Sequence, residues 1–248
     1  MPSGINIYNE SSLHNTLKVF YSVTKNGRTE ISLNGFIYDV VTDNNGIFEI
    51  QTKNLSKLLP KIMTTLENDG KITVVYPIVA EKRIVLYDDE GKIISNRKSP
   101  KRQTLYSLFD ELTGIYPVLL NKNFTLEVLE IKMIEERKHV KEPVQSKNNK
   151  RRFKRDWIKI NKRLEDIIKT TQFKTAADYL ALLPSNLTET FCAKDLYNAY
   201  IKAKDYPAEA AKKAHLILWV LSRMEIIEFT GIKNRSKYYK IAKSRQVI

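Results

Sequence analysis

Residues 36–54 read FIYDVVTDNNGIFEIQTKN. Two apolar-rich runs, FIYDVV and IFEIQT, flank the turn DNNG (Asp43 to Gly46), so they should pair as an antiparallel hairpin. Successive strand residues point to opposite faces. Glu49, Gln51 and Lys53 should therefore share one face, and Phe48 and Ile50 the other. A strand that buries a face keeps that face apolar. The polar set is either a solvated face or the lining of a site. Asp39 stands on the partner strand, within reach of Glu49. Two carboxylates from neighbouring strands, with a backbone carbonyl such as that of Ile50, make a hard oxygen set suited to Mg²⁺ or Mn²⁺. Such an ion can activate water and neutralise a phosphate.

The elements around this hairpin follow from their periodicity. SSLHNTLKVFYSV (residues 11–23) carries Leu13, Leu17 and Phe20 at helical spacing, with a serine cap. KNGR is a turn, and TEISLNGFIYDVVT reads as two strands joined at Asn34-Gly35. NLSKLLPKIMTTLEND is a helix in which Pro60 forces a late start or a kink. KITVVYPIVA is apolar and β-branched, as a central strand should be. EKRIVLYDDEGKIISNRKS reads as a hairpin, TLYSLFDELTGIYPVLL as a helix and FTLEVLEIKMIEERK as a strand.

The order helix, three strands, helix, strand, with Asp39 on the second strand and Glu49 on the third, resembles the core of the PD-(D/E)xK nuclease superfamily. The resemblance covers about residues 8 to 80. It implies a restriction endonuclease-like α/β fold and Mg²⁺-dependent cleavage of phosphodiester bonds, with Asp39, Glu49 and the Ile50 carbonyl on the metal. The family usually carries lysine two residues after the acid. Here Gln51 stands there, and Lys53 is the possible stand-in. An acidic residue of the first helix often joins such sites, which points to Glu10, with His14 beside it. The segments LHNTLK, YDVV, EIQTKN and RKSPKR also resemble an uncharacterised prokaryotic family, which implies no activity.

Charge divides the chain. Residues 1–137 carry 17 basic and 17 acidic side chains, so the whole net charge of +14 lies in residues 138–248. An excess confined to one region suggests a polyanion partner, most often nucleic acid. Residues 138–155, KHVKEPVQSKNNKRRFKR, lack apolar periodicity and read as a basic linker. It would separate a nuclease domain (1–137) from a mainly α-helical domain (156–248), in which DWIKINKRLEDIIKTTQF and TAADYLALLP are helical. The end of the chain resembles a winged helix: CAKDLYNAYIKA, a helix from about 207 to 224 with Ala211, Ala214, Leu218 and Leu221 buried, then EIIEFTG and KYYKIA as wing strands. Lys212, Lys213, Lys233, Arg235 and Lys237 would meet nucleic acid, with Trp219 and Tyr238 in the core. In NRKSPKRQ, Arg97, Lys98, Lys101 and Arg102 could grip a phosphate backbone.

A single cysteine, Cys192, excludes an internal disulfide and an all-thiolate zinc site; a buried apolar role is expected for it. No run approaches the length of a membrane span and no secretory signal is visible, so an intracellular, nucleoid-associated protein is expected. A metal-dependent DNA endonuclease, acting as a possible homodimer, is the expected function. The alternatives are an inactive nuclease fold that binds DNA as a regulator, and an RNA-processing nuclease.

Overall fold

The computed structural model describes residues 12–145 and 152–242. Helix α1 (Ser12–Thr24) buries Leu13, Leu17 and Tyr21, one stripe at i, i+4 and i+8. Strands β1 (Gly27–Leu33) and β2 (Phe36–Thr42) are joined by the two-residue loop Asn34-Gly35. Both loop residues have positive φ, 50° and 80°, the conformation for which Asn-Gly is selected in tight hairpins. β3 (Gly46–Ile50) runs antiparallel to β2, and α2 (Leu59–Glu67) carries the chain over to β4 (Lys71–Tyr87), parallel to β3. Pro60 sits in the first turn of α2, so it starts the helix rather than kinking it.

β4 is parallel to β6 (Phe124–Val144), and β6 is antiparallel to β7 (Arg155–Phe173). The order is β1-β2-β3-β4-β6-β7, with β5 (Ile93–Lys98) on the distal half of β4. The protein is thus mixed α/β, built on a seven-stranded mixed sheet. β3 leaves β4 at Val75 and β5 joins it only at Arg83, so the near and far ends of the sheet have different edges. Two apolar layers cover it. Leu13, Leu17 and Tyr21 of α1 pack on Val40, Ile50, Val75, Ile131 and Met133. The opposite face buries Tyr38, Val74, Leu126 and Val128 against Ile62 of α2 and the C-terminal helices.

Several expectations are corrected. DWIKINKRLEDIIKTTQF is not helical: it is most of β7. Its pairing with β6 is broken by register shifts near Glu130, Lys132 and Glu136. Each shift flips the alternation, so the apolar pattern along the strand imitates a helical period. Of residues 138–155, expected as a linker, 138–144 belong to β6 and Arg155 opens β7; residues 146–151 lie outside the described residues. TLYSLFDELTGIYPVLL is not one helix but a 3-10 turn (Leu105–Leu108), the short α3 (Phe109–Leu112) and a second 3-10 turn (Tyr116–Val118).

The C-terminal elements are α4 (Ala176–Leu180), α5 (Ala193–Lys202), α6 (Ala208–Lys212), α7 (Ala214–Arg223), β8 (Ile227–Lys233) and β9 (Ser236–Ile241). The helix expected from 207 to 224 breaks at Lys213, where α6 gives way to α7. Ala211, Ala214, Leu218 and Leu221 are buried as expected, and so is Cys192. Trp219 is not in the core: it is 40% exposed, edge-on to Tyr116. These elements share the sheet's apolar core, which is continuous from Tyr38 to Ile227. Polar contacts fix the docking. Thr104 and Ser107 hydroxyls donate to Glu209 at 2.8 and 2.9 Å, and the Tyr106 hydroxyl donates to the Leu182 carbonyl at 2.8 Å. Among the described residues, no helix is long and apolar enough to cross a membrane.

Candidate functional site

The backbone ladder between β2 and β3 covers only Val40–Phe48 and Val41–Ile47. On the other side, β1 pairs with β2 at Thr29–Val40 and Ile31–Tyr38, with the residue between left unpaired. That residue is Asp39. Glu30, opposite it, takes a left-handed backbone with φ 57°, a conformation costing a non-glycine residue about 1–2 kcal/mol. The distortion lets both Tyr38 and Val41 face the α2 layer while Val40 faces α1.

Carboxylates replace the missing ladder bonds. The Asp39 N–H donates to Glu49 Oε2 at 3.3 Å, and the Ile50 N–H donates to Asp39 Oδ2 at 2.8 Å. Each acid is thereby held against the backbone of the other's strand, just beyond the end of the ladder. Glu49 is buried. Lys61 of α2 meets its Oε1 at 2.6 Å, donates to the Ile37 carbonyl at 2.5 Å and lies 4.6 Å from the centre of the Tyr38 ring. Burial, and then the charge of Asp39, push the Glu49 carboxyl up to about 7 despite the opposing pull of Lys61. His14 Nε2 lies 2.8 Å from the Ile50 carbonyl and 3.4 Å from Asp39 Oδ2. A carbonyl only accepts, so Nε2 carries the proton.

The structure thus brings Asp39, Glu49, Ile50 and His14 together. It does not add Gln51 or Lys53 to them. β3 ends at Ile50, the Gln51 N–H makes one last bond to the Val75 carbonyl of β4 at 3.0 Å, and the chain bends at Thr52 and Lys53, so the alternation does not carry on to Lys53. The Gln51 amide donates to the Asn54 carbonyl, and Asn54 turns the chain with φ 56°. The amine beside Glu49 is that of Lys61. Lys61 lies on the stripe Leu58, Lys61, Ile62, Thr65, Leu66, a helical spacing that faces the sheet. A lysine on an otherwise inward stripe was the available signal. Glu10 lies outside the described residues.

The donors here that a hard divalent cation could use are two carboxylates, one of them paired with Lys61. Among the described residues, no group of three or more His, Cys, Asp and Glu side chains is arranged to hold a metal ion. Mg²⁺ requires fewer, because it keeps several waters and binds through one or two carboxylates and substrate phosphate. Asp39 and Glu49 would hold it. The Ile50 carbonyl is already bonded to His14, so it would serve only if that ring moved.

The other expected contacts fall at two places. Arg97, Lys98, Lys101 and Arg102 are exposed around β5 and the turn after it. Lys98 and Arg102 border a charged cavity of about 440 Å³ with Lys82, Arg83, Lys132 and Glu165. In the C-terminal elements a groove of about 710 Å³ lies between α5, α7 and the β8–β9 hairpin, lined by Tyr197, Lys212, His215, Trp219, Arg235 and Lys237. Lys212, Lys233, Arg235 and Lys237 are exposed. Lys213 is instead paired with Asp110 at 2.5 Å, so it serves docking of α7 on α3.

Residues 11–174 match the family model described as a domain of unknown function, DUF8091. The chain is 28% identical over 192 residues to an uncharacterized protein of Treponema pallidum (strain Nichols), covering 77% of this chain and 73% of that protein. No solved structure matches it. The family match ends one residue after β7 and takes in the whole seven-stranded sheet and the Asp39–Glu49 site. On that coverage, the chain belongs to the DUF8091 family.

Proposed function

We propose that the protein is a metal-dependent nuclease that hydrolyses phosphodiester bonds of DNA at the Asp39–Glu49 pair. One observation carries this reading: two carboxylates from adjacent strands converge where the ladder opens, with a lysine bound to one of them. The element order around them is the α-β-β-β-α-β order of restriction endonuclease-like nucleases, with β4 parallel to β3. Asp39 and Glu49 would hold Mg²⁺ or Mn²⁺, which supplies Lewis-acid polarisation of the scissile phosphate when bound. The bonds from the Ile50 and Asp39 N–H groups fix the orientation of the two carboxylates. Lys61 holds Glu49 and places a positive charge beside the position a phosphate would take. His14 keeps its proton toward Ile50 and Asp39.

The C-terminal elements support a winged-helix reading of residues 176–242. After α4, Phe191 forms a one-residue strand against β9, its N–H and carbonyl both bonded to Tyr239 at 2.9 Å. The helices α5 to α7 and the β8–β9 wing then follow in the order such a domain requires. The Lys233-Asn234-Arg235 tip would reach nucleic acid.

A second reading, binding without cleavage, is favoured by one contact. Glu49 is already paired with Lys61, and the neutral Gln51 amide cannot take up a proton as a base. The test adds Mg²⁺ or Mn²⁺ and mixed DNA substrates, with RNA in parallel, to the purified chain and to Glu49→Ala. Metal-dependent cleavage lost in the variant is the expected result. Equal cleavage by Glu49→Ala would remove the site. Binding with no cleavage of any substrate would establish the second reading.

A further inference from the structure

The α1-facing side of the distal sheet carries an unbalanced cluster of cations. Glu135 of β6 is buried, with its side chain 4% exposed. It is shared by Arg137 at 2.5 Å, Lys159 at 2.9 Å and Lys82 at 3.5 Å. Directly paired residues of antiparallel strands share a face. Lys162 is paired with Glu135 and Lys159 with Arg137, so all four lie on one side. Burial, then the charges of Lys159 and Lys53, hold the Lys162 amine below its usual range, so Lys53 lies within electrostatic reach of the row. Burial opposes the charge on Glu135, but Lys159 and Arg137 outweigh it and hold its carboxyl at about 2. Further along, the Arg137 and Arg155 guanidinium groups lie 3.5 and 4.9 Å from the centre of the Trp157 ring, which orders both.

Structural ion pairing alone does not account for this row. On the opposite face of the same strands the pairs are one to one: Arg83 with Glu165, Lys132 with Asp166, Arg163 with Glu136. Among the described residues on the α1-facing side, Lys82, Arg137 and Lys159 surround one carboxylate with Lys162 beside it, a surplus of three positive charges. Crowded like charges destabilise the chain by itself. The row also leads to the acidic pair. The Ser12 hydroxyl at the start of α1 donates to the Lys162 carbonyl, and His14, two residues on, reaches Ile50 and Asp39. Lys53 lies three residues beyond Ile50.

We propose that this face of the β6–β7 hairpin binds the phosphodiester backbone of a nucleic acid along Lys53, Lys162, Lys159, Lys82 and Arg137, and leads it to Asp39 and Glu49. The nuclease reading is needed for the fate of the bound strand, not for the binding. The hairpin, rather than the wing of the C-terminal elements, then supplies most of the grip.

Binding of the full chain to a labelled random-sequence DNA duplex, and to the RNA duplex of the same sequence, is measured by anisotropy in EDTA, where no metal-dependent cleavage occurs. The variants are Lys53→Ala/Lys159→Ala on the hairpin and Lys233→Ala/Arg235→Ala on the wing. Losing two phosphate contacts should weaken binding at least about tenfold and reduce the slope of log K against log salt by about 2. The wing variant should lose less. Whichever duplex shows this loss identifies the nucleic acid. Lys82 and Arg137 still neutralise Glu135 in the hairpin variant, and a thermal melt checks its fold. Should it melt early, Lys53→Ala alone gives the same test with about half the slope change. Glu135→Gln, which removes the one negative charge of the row, should tighten binding, an effect that a purely structural cluster would not produce. A folded hairpin variant that binds both duplexes like the parent, or a loss confined to the wing variant, would overturn the proposal. Absence of cleavage in the Mg²⁺ assay would remove the nuclease reading and leave this one standing.

Discussion

Replacing Glu49 by glutamine tests the electrostatics of the site before any substrate is added. The folded chain holds the Glu49 carboxyl at about 7, against 4.5 for an ordinary glutamate, because burial and Asp39 outweigh Lys61. The folded state therefore binds this proton more tightly than the unfolded state does. Ionising Glu49 costs stability, and the cost is absent well below pH 4.5, grows between 4.5 and 7, and is complete above 7. Between pH 5 and pH 8 the linkage amounts to about 2.5 kcal/mol lost from the parent. Glutamine keeps the shape and does not ionise, but its one acceptor oxygen can serve Lys61 or the Asp39 N–H, not both. The bond lost shifts stability by a similar amount at every pH in this window. The difference between Glu49→Gln and parent should therefore move by about 2.5 kcal/mol in the variant's favour from pH 5 to pH 8. Urea denaturation of both proteins at four pH values across that window measures it. Parallel pH profiles would refute the reasoning. They would mean that Glu49 is ionised throughout as a simple partner of Lys61.

Two further outcomes test the packing around the same loop. Lys61→Met leaves a buried carboxyl without its cation, which should cost about 3–5 kcal/mol at pH 8 and less at pH 5, where Glu49 can take up a proton; the same denaturation series reads it. Gly114 follows α3 in a tight turn, and a Cβ there would fall 2.5 Å from the Ser56 Cβ and 3.1 Å from its Cα. Gly114→Ala should therefore cost about 1–3 kcal/mol in a thermal melt. Adding Ser56→Gly, which removes the nearer clash, should return part of that loss.

The site was half legible in the sequence. Asp39 and Glu49 could be placed because a short turn, DNNG, joins their strands and fixes which residues meet. His14 followed from a helix expected to open at Ser11 or Ser12. The lysine did not follow, because it comes from a different element. Lys61 is about a dozen residues from Glu49 and is delivered by the α2 crossover, so no spacing rule along β3 could find it. Gln51 and Lys53 were placed by an alternation that requires a continuing strand, and the left-handed turn at Asn54 ends that alternation.

Local chemistry in the sequence determined the elements whose partners are near in the chain. The Asn34-Gly35 hairpin, α1, α2 and the apolar β4 follow from turn residues and periodicity, and so does the basic excess of the second half. Tertiary structure alone decided the rest. β7 became a strand because β6 offers it a long ladder, and the register shifts along that ladder disguise its period. The same pairing drew residues 138–144 and Arg155 of the expected linker into strands. It also gathered Lys82, Arg137, Lys159 and Lys162, distant in sequence, around one carboxylate. Asp39 lost its ladder partners because β1, β2 and β3 cannot keep register through the kink at Glu30, and that loss turned a polar strand position into one half of a site.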